Sequence, residues 1–136
     1  AIDRAGVVGP DGATHNGALD LSFLRCVPGM VVMTPSDAGE LRLMLDASRG
    51  IEAPVAIRYP RATARPATPG APPLRTGRAW LRRRGRGTAI LAFGTVVEEA
   101  LVVAATLDAS VYDMRFVKPL DETTVLAAAA SHTLVV

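Results

Sequence analysis

The chain contains a single cysteine, Cys26, among 136 residues, which excludes an internal disulfide. No signal peptide and no apolar run long enough to cross a bilayer is visible, so a soluble, cytoplasmic protein is expected. Aromatic residues make up only 4% of the sequence. That is little material for stacking bases, and nucleic acid is not an expected partner. Only two histidines accompany the one cysteine, dispersed without the spacing of metal ligands, so no metal site is expected within these residues. Neither GxGxxG nor a phosphate-binding P-loop is present. Lysine is almost missing too: 14 of the 15 basic residues are arginine, and the formal net charge is only +2. The tightest basic cluster, "RRRGR" at 82 to 86, is expected to be a solvated hairpin or linker.

What is abundant is apolar residues, 49% of the chain against 21% charged. This composition describes a packed protein with one ordinary core or parts of two small ones. Two apolar-rich blocks flank a break. The stretch "RATARPATPGAPPLRTG" carries four of the ten prolines and no apolar periodicity, the composition of a linker. We divide the chain into residues 1 to 62, a linker at 63 to 77, and residues 78 to 136.

In the first block "MVVMTP" reads as a strand, Ser36 as the cap of the helix "DAGELRLMLDASRG", and "PVAIRYP" as a second strand. In the last block "TAILAFGT", "SVYDMRF" and "TLVV" read as strands separated by the helices "VVEEALVVAATL" and "ETTVLAAAASH". Thr95 and Glu98 have the spacing of a capping box, and Asp121 can cap the following helix. Strands alternating with helices predict the α/β class, with a partial parallel sheet in each block. Cys26 sits in the apolar, helix-like run "LSFLRCV", where a buried, inert thiol is expected. His132 is placed to meet free carbonyls at a helix end.

Candidate chemistry gathers near the start. Arg4, Asp11 and His15 lie around Gly9, Gly12 and Gly17 in "DRAGVVGPDGATHNGALD", and glycines let a backbone bend or approach a ligand closely. Arginine suits phosphate or carboxylate, aspartate accepts from hydroxyls, and histidine exchanges protons near neutral pH. Two readings stay open for this loop: a surface connection in which Asp11 makes a local turn bond, or the wall of a site for a small polar substrate. "RYPR" at 58 to 61 ends a predicted strand, where ligands gather in parallel α/β sheets. Arg61, just past Pro60, is the candidate phosphate anchor, and Arg58 is the candidate for pairing with a carboxylate inside the strand.

Three stretches in order, "DRAGVVGPDGATHNGALDLSFLRCVPGMVVMTPSD", "AIRYPR" and "VYDMRFVKPLDE", resemble landmarks of the 1-deoxy-D-xylulose-5-phosphate synthase family of the transketolase superfamily. The resemblance implies a thiamine diphosphate and Mg2+ enzyme, homodimeric when full-length. Such an enzyme condenses pyruvate with D-glyceraldehyde 3-phosphate in isoprenoid precursor and thiamine biosynthesis. It also implies that Arg4 and Arg61 bind the substrate phosphate, that Asp11 hydrogen-bonds substrate hydroxyls, and that His15 is the catalytic residue. By the same resemblance residues 1 to 62 are the later half of a pyrimidine-binding domain and residues 78 to 136 the start of a transketolase C-terminal domain. The family's principal cofactor-binding groups are expected outside this stretch, and "RYPR" is followed here by Ala62 where the family usually has glycine. The chain opens on "AID" and stops at Val136 in an apolar strand, and the expectation is a fragment that is inactive alone. The alternative is a non-catalytic, truncated interaction protein of transketolase-like fold.

Overall fold

The computed structural model describes residues 1–136. Its elements run α1 (Asp20–Cys26), β1 (Val31–Met33), α2 (Ala38–Ser48), β2 (Val55–Ile57), β3 (Trp80–Arg83), β4 (Thr88–Ala92), α3 (Val96–Leu107), β5 (Ser110–Asp113), β6 (Phe116–Lys118), α4 (Glu122–Ser131) and β7 (Leu134–Val135). The strands form two sheets, ordered β2-β1-β6 and β3-β5-β4-β7. The class is α/β, as the alternation of strands and helices indicates.

β1 is buried along its whole length, which explains why "VVM" is an unbroken apolar run rather than an alternating one. Because side chains alternate across a strand, its two faces serve two helices. Val32 and Ala56 pack with Leu24 of α1, whereas Val31, Met33, Ile57 and Phe116 pack with Met44 of α2. In the second sheet Ala92 and Val111 pack under Val97, Ala100 and Ala104 of α3. The small alanine side chains let this helix lie close to the sheet.

The sheets are mixed rather than parallel. β1–β2, β4–β5 and β4–β7 are parallel pairs, but β3 runs antiparallel to β5 and β6 antiparallel to β1. The predicted strand "SVYDMRF" breaks after Asp113. Arg115 takes a left-handed conformation, φ 57°, and redirects the chain so that β6 leaves the second sheet and becomes the edge of the first. One strand of the later block therefore completes the sheet of the earlier one.

Several local expectations change. Asp37, not Ser36, caps α2: its carboxylate accepts the Glu40 N–H at 2.9 Å, because the chain leaving β1 stays extended for one more residue. Thr95 makes no side-chain cap on α3. Glu98, its intended partner, is drawn instead to Arg82 at 3.1 Å. Asp121 does cap α4, accepting the Thr124 N–H at 3.0 Å and also the Ala79 N–H at 2.9 Å. Burial opposes its charge, yet the N–H groups of Ala79 and Thr124 hold its carboxyl below the usual range. His132 meets the Ala128 carbonyl at 3.0 Å, as expected, and Ser110 Oγ at 2.9 Å.

Cys26 is exposed, since it falls on the face of α1 away from Leu24. The "RRRGR" cluster is not a solvated run at its start. Arg82 lies in β3 with its side chain only 6% exposed, 4.4 Å over the Trp80 ring. The proline-rich connection has no helix or strand but is tied down. Thr68 donates its N–H and hydroxyl to Asp37 at 3.0 and 2.7 Å, and Leu74 packs against the α2 side of the first sheet.

Candidate active site

The carboxyl end of β2 organises the site. Beyond Ile57 the chain stays extended, and residues 2 to 5 run beside it. Ile2 N–H donates to the Ile57 carbonyl at 2.9 Å, Tyr59 N–H to the Ile2 carbonyl at 2.9 Å, and Ala5 N–H to the Tyr59 carbonyl at 3.1 Å. This extra edge places Arg4 beside Arg61, although 56 residues separate them in sequence.

The glycine-rich loop then folds over both. Residues Gly9–Asp11 and Ala13–His15 form two short 3-10 turns hinged at Gly12, whose φ of 78° favours a residue without Cβ. Asn16 fastens the loop from within: its side-chain oxygen accepts the Val8 N–H at 2.7 Å. Gly6 and Gly17 exchange backbone hydrogen bonds at the base. Arg58 clamps the same point, donating to the Gly17 carbonyl and, at 3.2 Å, to Asp20. It thus pairs with a carboxylate, as its strand position predicts.

Three of the four sequence-predicted residues come together. Asp11 accepts from Arg4 Nε at 2.7 Å through one oxygen and from Arg61 Nη1 through the other. Arg4 also reaches Asp3 at 3.2 Å, but Asp3 is the more exposed partner, 63% against 16% for Asp11. Exposed pairs contribute little, so Asp11 is the group that aligns the two arginines. Two guanidinium groups thus gather around Asp11, with the exposed Asp3 beside Arg4, and their planar forks suit an anion with several oxygens.

His15 is exposed on the second 3-10 turn. Its Nδ1 lies 3.0 Å from Thr14 Oγ1, which leaves Nε2 as the nitrogen free of that contact. Arg61 also lines a cleft of about 570 Å³ with Tyr59, Asp37, Arg65, Thr95 and Glu99. This cleft lies where the first sheet's strand ends meet the start of α3. No group of three or more His, Cys, Asp or Glu side chains is placed to hold a metal ion. Sequence reasoning overlooked Asn16 and Asp20, and the signal for Asn16 was the turn chemistry of asparagine between glycines.

A Gly17→Ala substitution tests how tightly the loop base is built. The added methyl would collide with the Arg4 carbonyl and the Asp20 carboxylate. We expect the displaced loop to weaken the Arg4–Asp11 pair and to lower substrate affinity in the full-length protein more than its melting temperature. Ordinary affinity after this substitution would show that the base tolerates a shift.

Comparison with known proteins agrees with this architecture. Residues 1–66 match the pyrimidine-binding domain of transketolase, and residues 77–136 match the transketolase C-terminal domain. Across its whole length the chain is 59% identical to a 1-deoxy-D-xylulose-5-phosphate synthase of Pseudomonas syringae and 55% identical to one of Stutzerimonas stutzeri. It spans 22% of the length of each. Among solved structures, 98% of the chain superposes on 44% of a split-gene transketolase described as an inactive β4 tetramer, with TM-score 0.87 and 30% identity. It also superposes on 22% of the Campylobacter jejuni transketolase, with TM-score 0.76 and 22% identity, a likeness of fold alone. The chain belongs to the transketolase family, and its full length aligns with one stretch of the 1-deoxy-D-xylulose-5-phosphate synthases.

Proposed function

We propose that this chain is the substrate-recognition segment of a 1-deoxy-D-xylulose-5-phosphate synthase, a transferase that joins pyruvate to D-glyceraldehyde 3-phosphate with release of CO2. The observation that carries the reading is the convergence of Arg4 and Arg61 on Asp11 at the carboxyl end of β2, in a chain 59% identical to such a synthase. In this reading the two arginines hold the phosphate of glyceraldehyde 3-phosphate. Asp11 keeps them parallel and accepts from a substrate hydroxyl. His15, with Nε2 available, handles a proton at the reacting carbons. Thiamine diphosphate, when bound with Mg2+, supplies the electron sink for decarboxylation. The groups that hold it belong to other parts of the enzyme, which we expect to be a cytoplasmic homodimer.

On this reading the 136-residue chain alone makes no product. The split-gene transketolase that superposes on 98% of the chain is an inactive β4 tetramer, which supports this. The test measures 1-deoxy-D-xylulose 5-phosphate formed from pyruvate and glyceraldehyde 3-phosphate. Product is expected from the full-length protein with thiamine diphosphate and Mg2+, and none from the isolated chain. No product from the full-length protein would overturn the proposed activity. Product from the isolated chain would overturn only its dependence on the remainder.

A further inference from the structure

Arg58 reaches the root of the glycine-rich loop from the sheet. Side chains alternate across β2 and its extension, so Ile57 and Tyr59 pack on the α2 side while Ala56 joins Leu24 on the α1 side. Arg58 shares the side of Ala56. Its N–H donates to the Met33 carbonyl at 2.9 Å, and on its other edge the residue bridges in parallel to Ile2. The guanidinium therefore springs from main chain that is held on both sides. Residues 7 to 16, by contrast, make main-chain hydrogen bonds only among themselves. Two polar ties hold this loop to the sheet. One is Asp11, gripped by Arg4 and Arg61. The other is the root, where Arg58 Nη2 donates to the Gly17 carbonyl and Nε to Asp20 at 3.2 Å, with only 15% of the Arg58 side chain and 16% of the Asp20 side chain exposed. The Gly6 N–H reaches the same carbonyl at 3.4 Å, so the charged guanidinium is its stronger donor.

We propose that Arg58 is a positioning residue, which holds His15 in place once substrate occupies the site. On the proposed reading of this site, which the assignment rests on, the substrate phosphate engages Arg4 and Arg61, the same groups that grip Asp11. The first tie is therefore shared as soon as substrate binds. Arg58 spends its bonds on Gly17 and Asp20 and on neither Asp11 nor the phosphate. The second tie stays whole. Since His15 lies two residues before Gly17, the root is then what fixes where its Nε2 sits while bonds form and break. A general acid or base works only within hydrogen-bond reach of the proton it moves, and a misplacement of about 1 Å costs up to about a hundredfold in rate. Arg58 thus acts on the occupied enzyme more than on the free one. That separates it from Arg61, whose contact is with the phosphate itself, and from Gly17, where an added methyl pushes on the Arg4 carbonyl.

The test uses the full-length protein with thiamine diphosphate and Mg2+, read in two ways. In steady-state kinetics Arg58→Met is expected to lower kcat roughly ten- to a hundredfold while KM for glyceraldehyde 3-phosphate changes little, the pattern of an interaction needed only in the occupied enzyme. Arg58→Lys should fall between the two, because an ammonium reaches one acceptor where the guanidinium fork serves both. Hydrogen exchange at the 8–17 amides gives a readout without turnover, with glyceraldehyde 3-phosphate added and pyruvate left out. The wild type is expected to keep its protection on this addition and Arg58→Met to lose it. Should Arg58→Met not fold, Asp20→Asn, which leaves the Gly17 bond in place, is expected to show the same two effects at smaller size. An unchanged kcat, a loss confined to KM, or exchange in the variant that ignores glyceraldehyde 3-phosphate would overturn the positioning role. Absence of product from the wild type would instead overturn the reading of the site itself.

Discussion

Arg61→Ala in the full-length enzyme is expected to raise the KM for glyceraldehyde 3-phosphate and to lower kcat/KM roughly ten- to a hundredfold, the effect of losing one charge-assisted contact of about 1.5–3 kcal/mol. Arg61 is half exposed and shares Asp11 with Arg4. Removing it takes away one of the two guanidinium groups and leaves Arg4 alone between Asp3 and Asp11. The anion then meets a single cation that is already paired. KM for pyruvate should change little, because pyruvate carries no phosphate. Arg61→Lys should recover only part of the loss, since an ammonium cannot present two parallel donors. An effect confined to pyruvate would remove Arg61 from the phosphate role.

A second large effect is expected at Arg115, through stability rather than affinity. Arg115→Met strands Glu40, whose side chain is wholly buried, and breaking one side of a buried pair costs about 3–5 kcal/mol. Burial raises the Glu40 carboxyl, so taking up a proton relieves part of that cost as pH falls. The variant should therefore show a lowered denaturation midpoint in the full-length protein, with the deficit growing as pH rises. The double substitution Arg115→Met with Glu40→Met should recover much of the loss, because the pair is then replaced by side chains that need no partner. If the double variant is as unstable as the single one, the backbone turn rather than the ion pair is what Arg115 supplies.

The sequence showed the strand–helix alternation of both blocks because each element buries one apolar face, and that periodicity is local. It could not show that β6 belongs to the first sheet. "FVK" has the same alternation whichever neighbour it pairs with. Nor could it show buried arginines. Arg82 reads as solvated within "RRRGR" until its partners are known, and Glu40 lies 75 residues from Arg115. Arg4, Asp11 and Arg61 stood out as candidates because glycine clusters and strand ends are local signals of a site. Asp11 bridging both arginines was not, since that depends on the edge formed by residues 2 to 5 along β2. The proline-rich stretch misled in the other direction: low periodicity meant irregular backbone, but Thr68, Pro72 and Leu74 are all engaged.

The crossing of β6 has a consequence for synthesis on the ribosome. β1 emerges before β6, and the partner for its second edge is made only after residues 34–115 have followed. Until then the backbone groups of Val32 and Met33 that await β6 form an open template, which any extended segment of a neighbouring nascent chain can occupy. Pauses or chaperone contacts that act between the emergence of Met33 and of Lys118 would thus decide how much of this protein reaches its native pairing.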